Sequence, residues 1–477
     1  MIFTSYVVLE ARSVRKSGQQ KNPAREDMDA TKETFPSRVL PCVSILLPVY
    51  NEKLVVEKLI DAVCALQYPS TRLDILVLDD STDETGERIA TKVAFYRQKN
   101  IPIRHVRREN RTGFKAGNLS FGLTLAKGDF IAIFDADNVP PSDFLLNAMP
   151  CFEDEHVGFM QSSVDYANKN ASFLTRFQAV VAEHKEVVTE GLAQDGFLAS
   201  LTGSSCVWRK ACIDSIGGIS SDTITEDVDM GYKAQLVHSW KYVYLRNLVS
   251  LAELPETIGA FRVQRQRWAR GLVLNALRHA RHATDIHTHA LHRLHAISLM
   301  FSSLLLASFY VLLLLSLPMV LVTHHLGLLF HGCCTTFLVA ACIWVWHNIS
   351  GGPPAQGTVL PLWKRAGDIF GYVIMFLPLS LCYFTAAVQV FAGIEGDFHS
   401  TPKGIGRQKY RHPPINTLLV GLEAFSLLYA LTALYFSLIY SNFWVTLYSL
   451  IAACGFTLTL YLSWRDRMAS IIPPTTC

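Results

Sequence analysis

The chain has 477 residues, half of them hydrophobic and only 17% charged, with a formal net charge of +3 at pH 7. So mild a positive balance, with no basic run interleaved with aromatics, argues against a nucleic-acid partner, while the length suffices for about three domains. Eleven cysteines scattered from Cys42 to Cys477 without a CxxC pair point to neither a zinc site nor a disulfide framework, and so to a soluble part in the reducing cytosol.

Residues 1–39 open with a short apolar patch, Tyr6-Val7-Val8-Leu9, followed by Arg12, Arg15 and Lys16. The patch is too short for a signal peptide, and reads as the tail of a truncated membrane helix or an unstructured start. A polar linker follows. Residues 42–49 are an apolar, partly β-branched run ending at Tyr50-Asn51-Glu52, which predicts a buried strand followed by a helix. Residues 74–78 repeat the pattern and run into Asp79-Asp80; residues 130–134 repeat it again and run into Asp135-Ala136-Asp137. Strands alternating with helices predict an α/β domain over 40–256 with a mostly parallel sheet. Ligands of such sheets bind beyond the carboxyl ends of the strands, where both acidic clusters fall.

Asp135 and Asp137 are two apart in an extended turn and face one way, which suits oxygen ligation of Mg²⁺ or Mn²⁺. A hard divalent ion there would neutralise a leaving diphosphate. Gly113 and Gly117 match neither a dinucleotide fingerprint nor a P-loop, yet Lys115 between them is a candidate diphosphate partner. In Thr225-Glu226-Asp227, Thr225 or Thr223 is placed to cap a helix, and Asp227 is the candidate general base toward an acceptor hydroxyl. One base opposite a metal-held leaving group implies a single in-line displacement with inversion.

Residues 257–295 predict interfacial helices. On the first, Gln264, Arg267 and Trp268 sit at i, i+3 and i+4 on one face, with Arg265 and Gln266 directed elsewhere. A guanidinium suits phosphate oxygens, and an indole suits the apolar face of a sugar ring. His279, His282, His287, His289, His292 and His295 read as a polar stretch at the membrane rather than a metal site. From 296 to 477 the chain predicts a transmembrane region, with apolar stretches at 298–322, 327–346, 369–393, 416–440 and 443–463. These stretches hold almost no acids or bases, which disfavours an ion-coupled transporter.

The motifs Pro48-Val49-Tyr50-Asn51-Glu52, Asp79-Asp80, Lys115-Ala116-Gly117-Asn118, Asp135-Ala136-Asp137, Thr225-Glu226-Asp227 and Gln264-Arg265-Gln266-Arg267-Trp268 occur in an order that resembles the processive, cellulose synthase-like members of glycosyltransferase family 2. The resemblance covers about residues 40–410. It implies a cytosolic GT-A domain joined to a C-terminal helical membrane domain, and an inverting hexosyltransferase that polymerises a β-linked glucan or mannan and translocates it. By resemblance, Tyr50, Glu52, Asp79, Asp80, Lys115 and Arg267 bind the nucleotide sugar, Asp135 and Asp137 the metal, and Asp227 is the base. Gly203, Ser204, Glu226, Gln264 and Trp268 would face the acceptor, although the aromatic pair and Cys that cellulose synthases carry before Gly-Ser are absent here.

Phe398, Thr401 and Lys403, within 397–406, are similar to the family's gating loop. If that loop and the catalytic domain share the cytosolic side, the stretch at 369–393, with Pro378 and Gln389, would end as an interfacial helix. Pro255-Glu256-Thr257 and Val207-Trp208-Arg209 resemble the glucomannan group. The implied partners are a nucleotide sugar, UDP-glucose or GDP-mannose, a growing glycan and the bilayer of a plasma or Golgi membrane. Two other readings stand beside this one: a ceramide-type glycolipid synthase that transfers one sugar, and a nucleotide-sensing membrane transporter or scaffold.

Overall fold

The computed structural model describes residues 40–284, 289–322, 332, 336, 362–394 and 417–471. The N-terminal segment, most of the stretch at 327–346 and the gating-like loop with Phe398, Thr401 and Lys403 lie outside the described residues.

Seven strands form one sheet in the order β3-β2-β1-β4-β6-β5-β7. They are β1 (Val43–Val49), β2 (Leu73–Asp79), β3 (Ile103–Val106), β4 (Phe130–Ile133), β5 (Val157–Tyr166), β6 (Cys206–Arg209) and β7 (Lys241–Ala252). Every residue of β1 and β4 is buried, as expected of strands covered on both faces. Period-two alternation divides them cleanly. Ile45, Leu47, Ile75, Val77 and Ala132 enter one core with α1 (Val56–Cys64) and α2 (Thr85–Gln98), while Leu46, Leu76, Leu78, Ile131 and Ile133 enter the other with α3 (Phe114–Leu125).

The sheet is mostly parallel, as expected, apart from β6, which runs antiparallel between β4 and β5. This reversal matters for the site, because the start of β6 lies beside the carboxyl end of β4 and brings the preceding Gly203-Ser204-Ser205 to the acidic turn. Val207-Trp208-Arg209 forms this strand. Trp208 is fully buried and stacks on Phe159 with ring centroids 4.3 Å apart, so it packs the core rather than touching the site.

Four further α-helices belong to the domain: α4 (Phe144–Ala148), α5 (Phe173–Gln194), α6 (Lys210–Ser215) and α7 (Glu226–Tyr232), the last carrying the acidic motif. One long helix, α8 (Ile258–Thr284), then leads through α9 (Ala290–Met300) to α10 (Ser302–Val322), α11 (Leu362–Phe391), α12 (Thr417–Ile439) and α13 (Phe443–Ile471). Segments of the last four, Ser302–Val322, Val373–Phe391, Thr417–Ile439 and Phe443–Ala469, are long and apolar enough to cross a membrane. The stretch at 369–393 lies on one continuous helix: α11 runs through Pro378 to Phe391, with Leu377, Leu381 and Cys382 packed in the same core as Leu313, Ala430 and Phe456. Apolar burial against neighbouring helices outweighs the backbone hydrogen bond that proline forgoes.

Candidate active site

Lys115 is the hub of the site. It lies in the first turn of α3, behind Gly113 at φ +73°, and its Nζ stands 2.7 Å from Asp135 Oδ1 and 3.3 Å from Glu226 Oε1. It also donates to the Gly203 carbonyl at 3.2 Å. Burial opposes the ammonium, but Asp135, Glu226 and Asp227 outweigh it and raise the amine above its ordinary value. Asp135 is tied in from its other side, where its backbone N–H donates to Ser204 Oγ at 2.8 Å. Asp137 is buried beside the Glu253 N–H. The acidic turn, the Lys and the Gly-Ser stretch thus form one cluster.

Asp227 faces this cluster from α7. Gly203, at φ +75°, leaves its carboxylate room: a Cβ there would stand 2.6 Å from Asp227 Oδ2. Burial, then Glu226, raises the Asp227 carboxyl to about 7, against the opposing pull of Lys115 and the Val228 N–H. A carboxylate poised near neutrality is suited to taking a proton. Thr225 occupies the cap position of α7 without a capping side-chain bond. Its Oγ1 accepts instead from Asn275 Nδ2 at 2.9 Å.

The residues expected to face the nucleotide gather at the ends of β1 and β2. Arg111 lies over the Tyr50 ring at 3.2 Å and within 5.1 Å of the Phe114 ring, a cation–π stack. Asp80 accepts a two-pronged bond from Arg108, at 2.8 and 2.6 Å. Asp79 is turned inward, accepting from the Ser81 N–H and pairing with His105 Nε2 at 2.8 Å. The Glu52 carbonyl receives the first N–H groups of α1, from Val55 and Val56. Arg108 and Arg111 were not singled out by motif; their signal is the basic run from Arg104 to Arg111 just before the Gly113 turn.

On α8, Gln264 is buried, Arg267 half-buried, and Trp268 exposed at 37%. Arg265 departs from expectation, lying over the Trp268 ring at 4.8 Å and bonding to Tyr383. Gln266 donates to Thr385 Oγ1 at 3.2 Å. One further cation was missed. Lys185 on α5 is open to solvent, yet its amine is hemmed in by protein, and that burial lowers it against the attraction of Asp227. Of the six histidines, His279 pairs with Asp229 at 2.8 Å, His295 Nε2 lies 2.9 Å from the Leu198 carbonyl and His292 stacks on Phe197, whereas His287 lies outside the described residues.

Residues 41–271 match the family described as glycosyltransferase like family 2. Those residues form a domain similar to the family 2 glycosyltransferases. That domain holds every candidate residue from Tyr50 to Trp268. It is 36% identical over 253 residues to a probable glucomannan 4-beta-mannosyltransferase 1 of Arabidopsis thaliana, covering 52% of this chain and 45% of the relative. The glucomannan 4-beta-mannosyltransferase 1 of Cyamopsis tetragonoloba is 33% identical over 272 residues, covering 56% of this chain and 51% of the relative.

The chain spans about half the length of the curated relatives it matches. Among solved structures, a mannosyltransferase from Pyrobaculum calidifontis in complex with GDP-Man and Mn²⁺ aligns at a TM-score of 0.50 and 18% identity, covering 83% of this chain and 100% of that one. At that identity the likeness is one of fold, and the fold is the GT-A arrangement that the resemblance implied.

Among the described residues no group of three or more His, Cys, Asp or Glu side chains gathers as a metal cage. Asp135 and Asp137 supply two hard carboxylate donors, which fits an ion that takes its remaining ligands from substrate phosphates and water.

Proposed function

We propose that the protein is an inverting β-mannosyltransferase that extends a β-linked polysaccharide from a nucleotide sugar and passes the product through its own membrane helices. The observation that carries the reading is the convergence on Lys115 of Asp135, Glu226 and the Gly203 carbonyl, with Asp227 alongside. Cation, acidic turn and candidate base belong to one cluster, as a displacement at a sugar carbon requires. The names of the relatives favour mannose over glucose, and so GDP-mannose as donor.

In this reading Lys115 binds the diphosphate, Tyr50 with Arg111 flanks the nucleotide base, and Asp80 is kept in place by Arg108. Asp135 and Asp137 would hold Mg²⁺ or Mn²⁺ together with the diphosphate. The ion, when bound, neutralises the charge left on the departing diphosphate. Asp227 takes the proton from the acceptor hydroxyl as that oxygen forms its bond to the sugar and the diphosphate leaves from the opposite face. Trp268 offers the acceptor ring an apolar surface, with Gln264 as an acceptor contact and Arg267 as a donor contact. The glycosyltransferase domain stands on the cytosolic side, where nucleotide sugars are made.

The test is a donor panel on membranes containing the protein, with and without chelator, comparing wild type with Asp227→Asn. GDP-mannose-dependent incorporation that chelator abolishes is expected, along with a variant that binds donor normally but transfers about 10²–10⁴-fold more slowly. Substantial turnover by Asp227→Asn would remove that residue from the mechanism.

A further inference from the structure

Helix α8 is bonded along two stripes to two different parts of the molecule. Ile258, Arg262, Gln266 and Arg270 recur every four residues, and each bonds to the membrane part. The Ile258 N–H donates to Asp466 Oδ2 on α13 at 2.8 Å. The Arg262 guanidinium donates to Glu423 on α12 and to the Thr459 carbonyl on α13. Gln266 bonds to Thr385 on α11, and Arg270 donates to the Ile394 carbonyl just beyond it at 2.8 Å.

The second stripe meets the segment that contains the candidate base. Gly271 packs so closely on Thr225 that a Cβ would stand 2.3 Å from its Oγ1. Asn275 donates to both the Thr225 carbonyl and Oγ1, at 3.2 and 2.9 Å, and His279 pairs with Asp229. Asp227 lies midway between Thr225 and Asp229, and α8 holds both.

Arg262 and Glu423 are the guanidinium–carboxylate pair of this relay, and both side chains are buried, at 8% and 1% exposure. Glu423 lies inside a segment apolar enough to span a membrane. A charge at that depth costs free energy, and a buried ion pair is often no more stabilising than apolar side chains of the same volume. Its directional bonds do what apolar packing does not: they hold α8 at one axial register.

We propose that Arg262 and Glu423 are positioning residues for sugar transfer, locking α8 against the membrane helices so that Asn275 and His279 set Asp227 at the acceptor. The proposal rests on the assignment of Asp227 as base. It also supplies a physical link by which movement of product through the membrane helices reaches the site of bond formation.

The experiment compares wild type with Arg262→Met/Glu423→Leu, an apolar pair chosen so that no unpaired charge is left buried. Three quantities are measured on the full-length protein in membranes: unfolding temperature, GDP-mannose binding and kcat. Unfolding temperature no lower than wild type, donor affinity within about threefold and kcat reduced about ten- to hundred-fold are expected, since misplacement by 1 Å costs on the order of 10²-fold. Wild-type kcat in this variant overturns the proposal. If the double variant does not fold, Asn275→Ala tests the other end of the same link: reduced kcat with donor binding retained supports it, and unchanged kcat overturns it. A wild-type protein without transferase activity would instead count against the proposed function itself.

Discussion

Replacing Gly203 by Ala isolates the contact on which the candidate base depends. The added Cβ would lie 2.6 Å from Asp227 Oδ2 and 2.9 Å from its Cβ and Cγ, so relief requires the base or the loop to shift. If Asp227 yields, its carboxylate retreats by about 0.8 Å to reach ordinary van der Waals contact in a packed interior. A displacement of that size lowers kcat by on the order of 10²-fold, equivalent to about 2.7 kcal/mol of transition-state stabilisation. The left-handed φ of +75° adds a cost in stability of about 1–2 kcal/mol that is unrelated to catalysis.

Gly196→Ala separates the two effects. Gly196 has φ +70° and nothing within 4 Å of the added Cβ. Both variants should lose similar stability, whereas only Gly203→Ala should lose kcat. The assay is incorporation of labelled sugar at saturating donor, with thermal unfolding measured in parallel. Equal kcat for Gly203→Ala and wild type, or an equal loss in Gly196→Ala, would refute the reasoning.

Lys115→Met should raise donor KM about ten- to hundred-fold, because a hydrogen bond to a charged group is worth about 1.5–3 kcal/mol; an unchanged KM in steady-state transfer would remove Lys115 from donor binding. A base must lose its proton before it acts, so kcat/KM should rise as pH increases through about 7, with Glu226, Lys115 and Asp135 as the charges facing Asp227. Glu226→Gln removes a like charge that raises this carboxyl, and should move the rising limb toward lower pH; an alkaline shift in the pH profile would contradict the electrostatics. Trp268→Ala should shorten the product while leaving donor binding intact, as read by gel filtration and a donor isotherm, since the exposed indole contributes an apolar surface of the kind that sugar rings stack on.

Much of the fold was legible because β1, β2 and β4 are continuous apolar runs that end in polar motifs, the pattern of strands buried on both faces. Their ends marked Asp79-Asp80 and the acidic turn at Asp135-Ala136-Asp137, while Asp227 was legible only in its own Thr-Glu-Asp motif. What escaped was carried by geometry without a local pattern. β6 is only four residues long, and nothing in Cys206–Arg209 announces that it runs antiparallel or brings Ser204 to Asp135. Arg108 and Arg111 sit in a basic loop whose partners, Asp80 and Tyr50, are about thirty and sixty residues away. Arg265 reaches Trp268 because a long side chain at i covers its i+3 neighbour as readily as it turns to solvent. Glu423 has no local pattern within its apolar stretch, and its meaning requires Arg262, 161 positions earlier.

Product size tests the proposed function most directly. Purified protein in liposomes, given labelled GDP-mannose and a divalent ion, should yield material that remains at the origin in chromatography and is released by an endo-β-mannanase. If the sole labelled product is a lipid bearing one sugar, the protein is a single-transfer glycolipid synthase and the processive assignment is wrong.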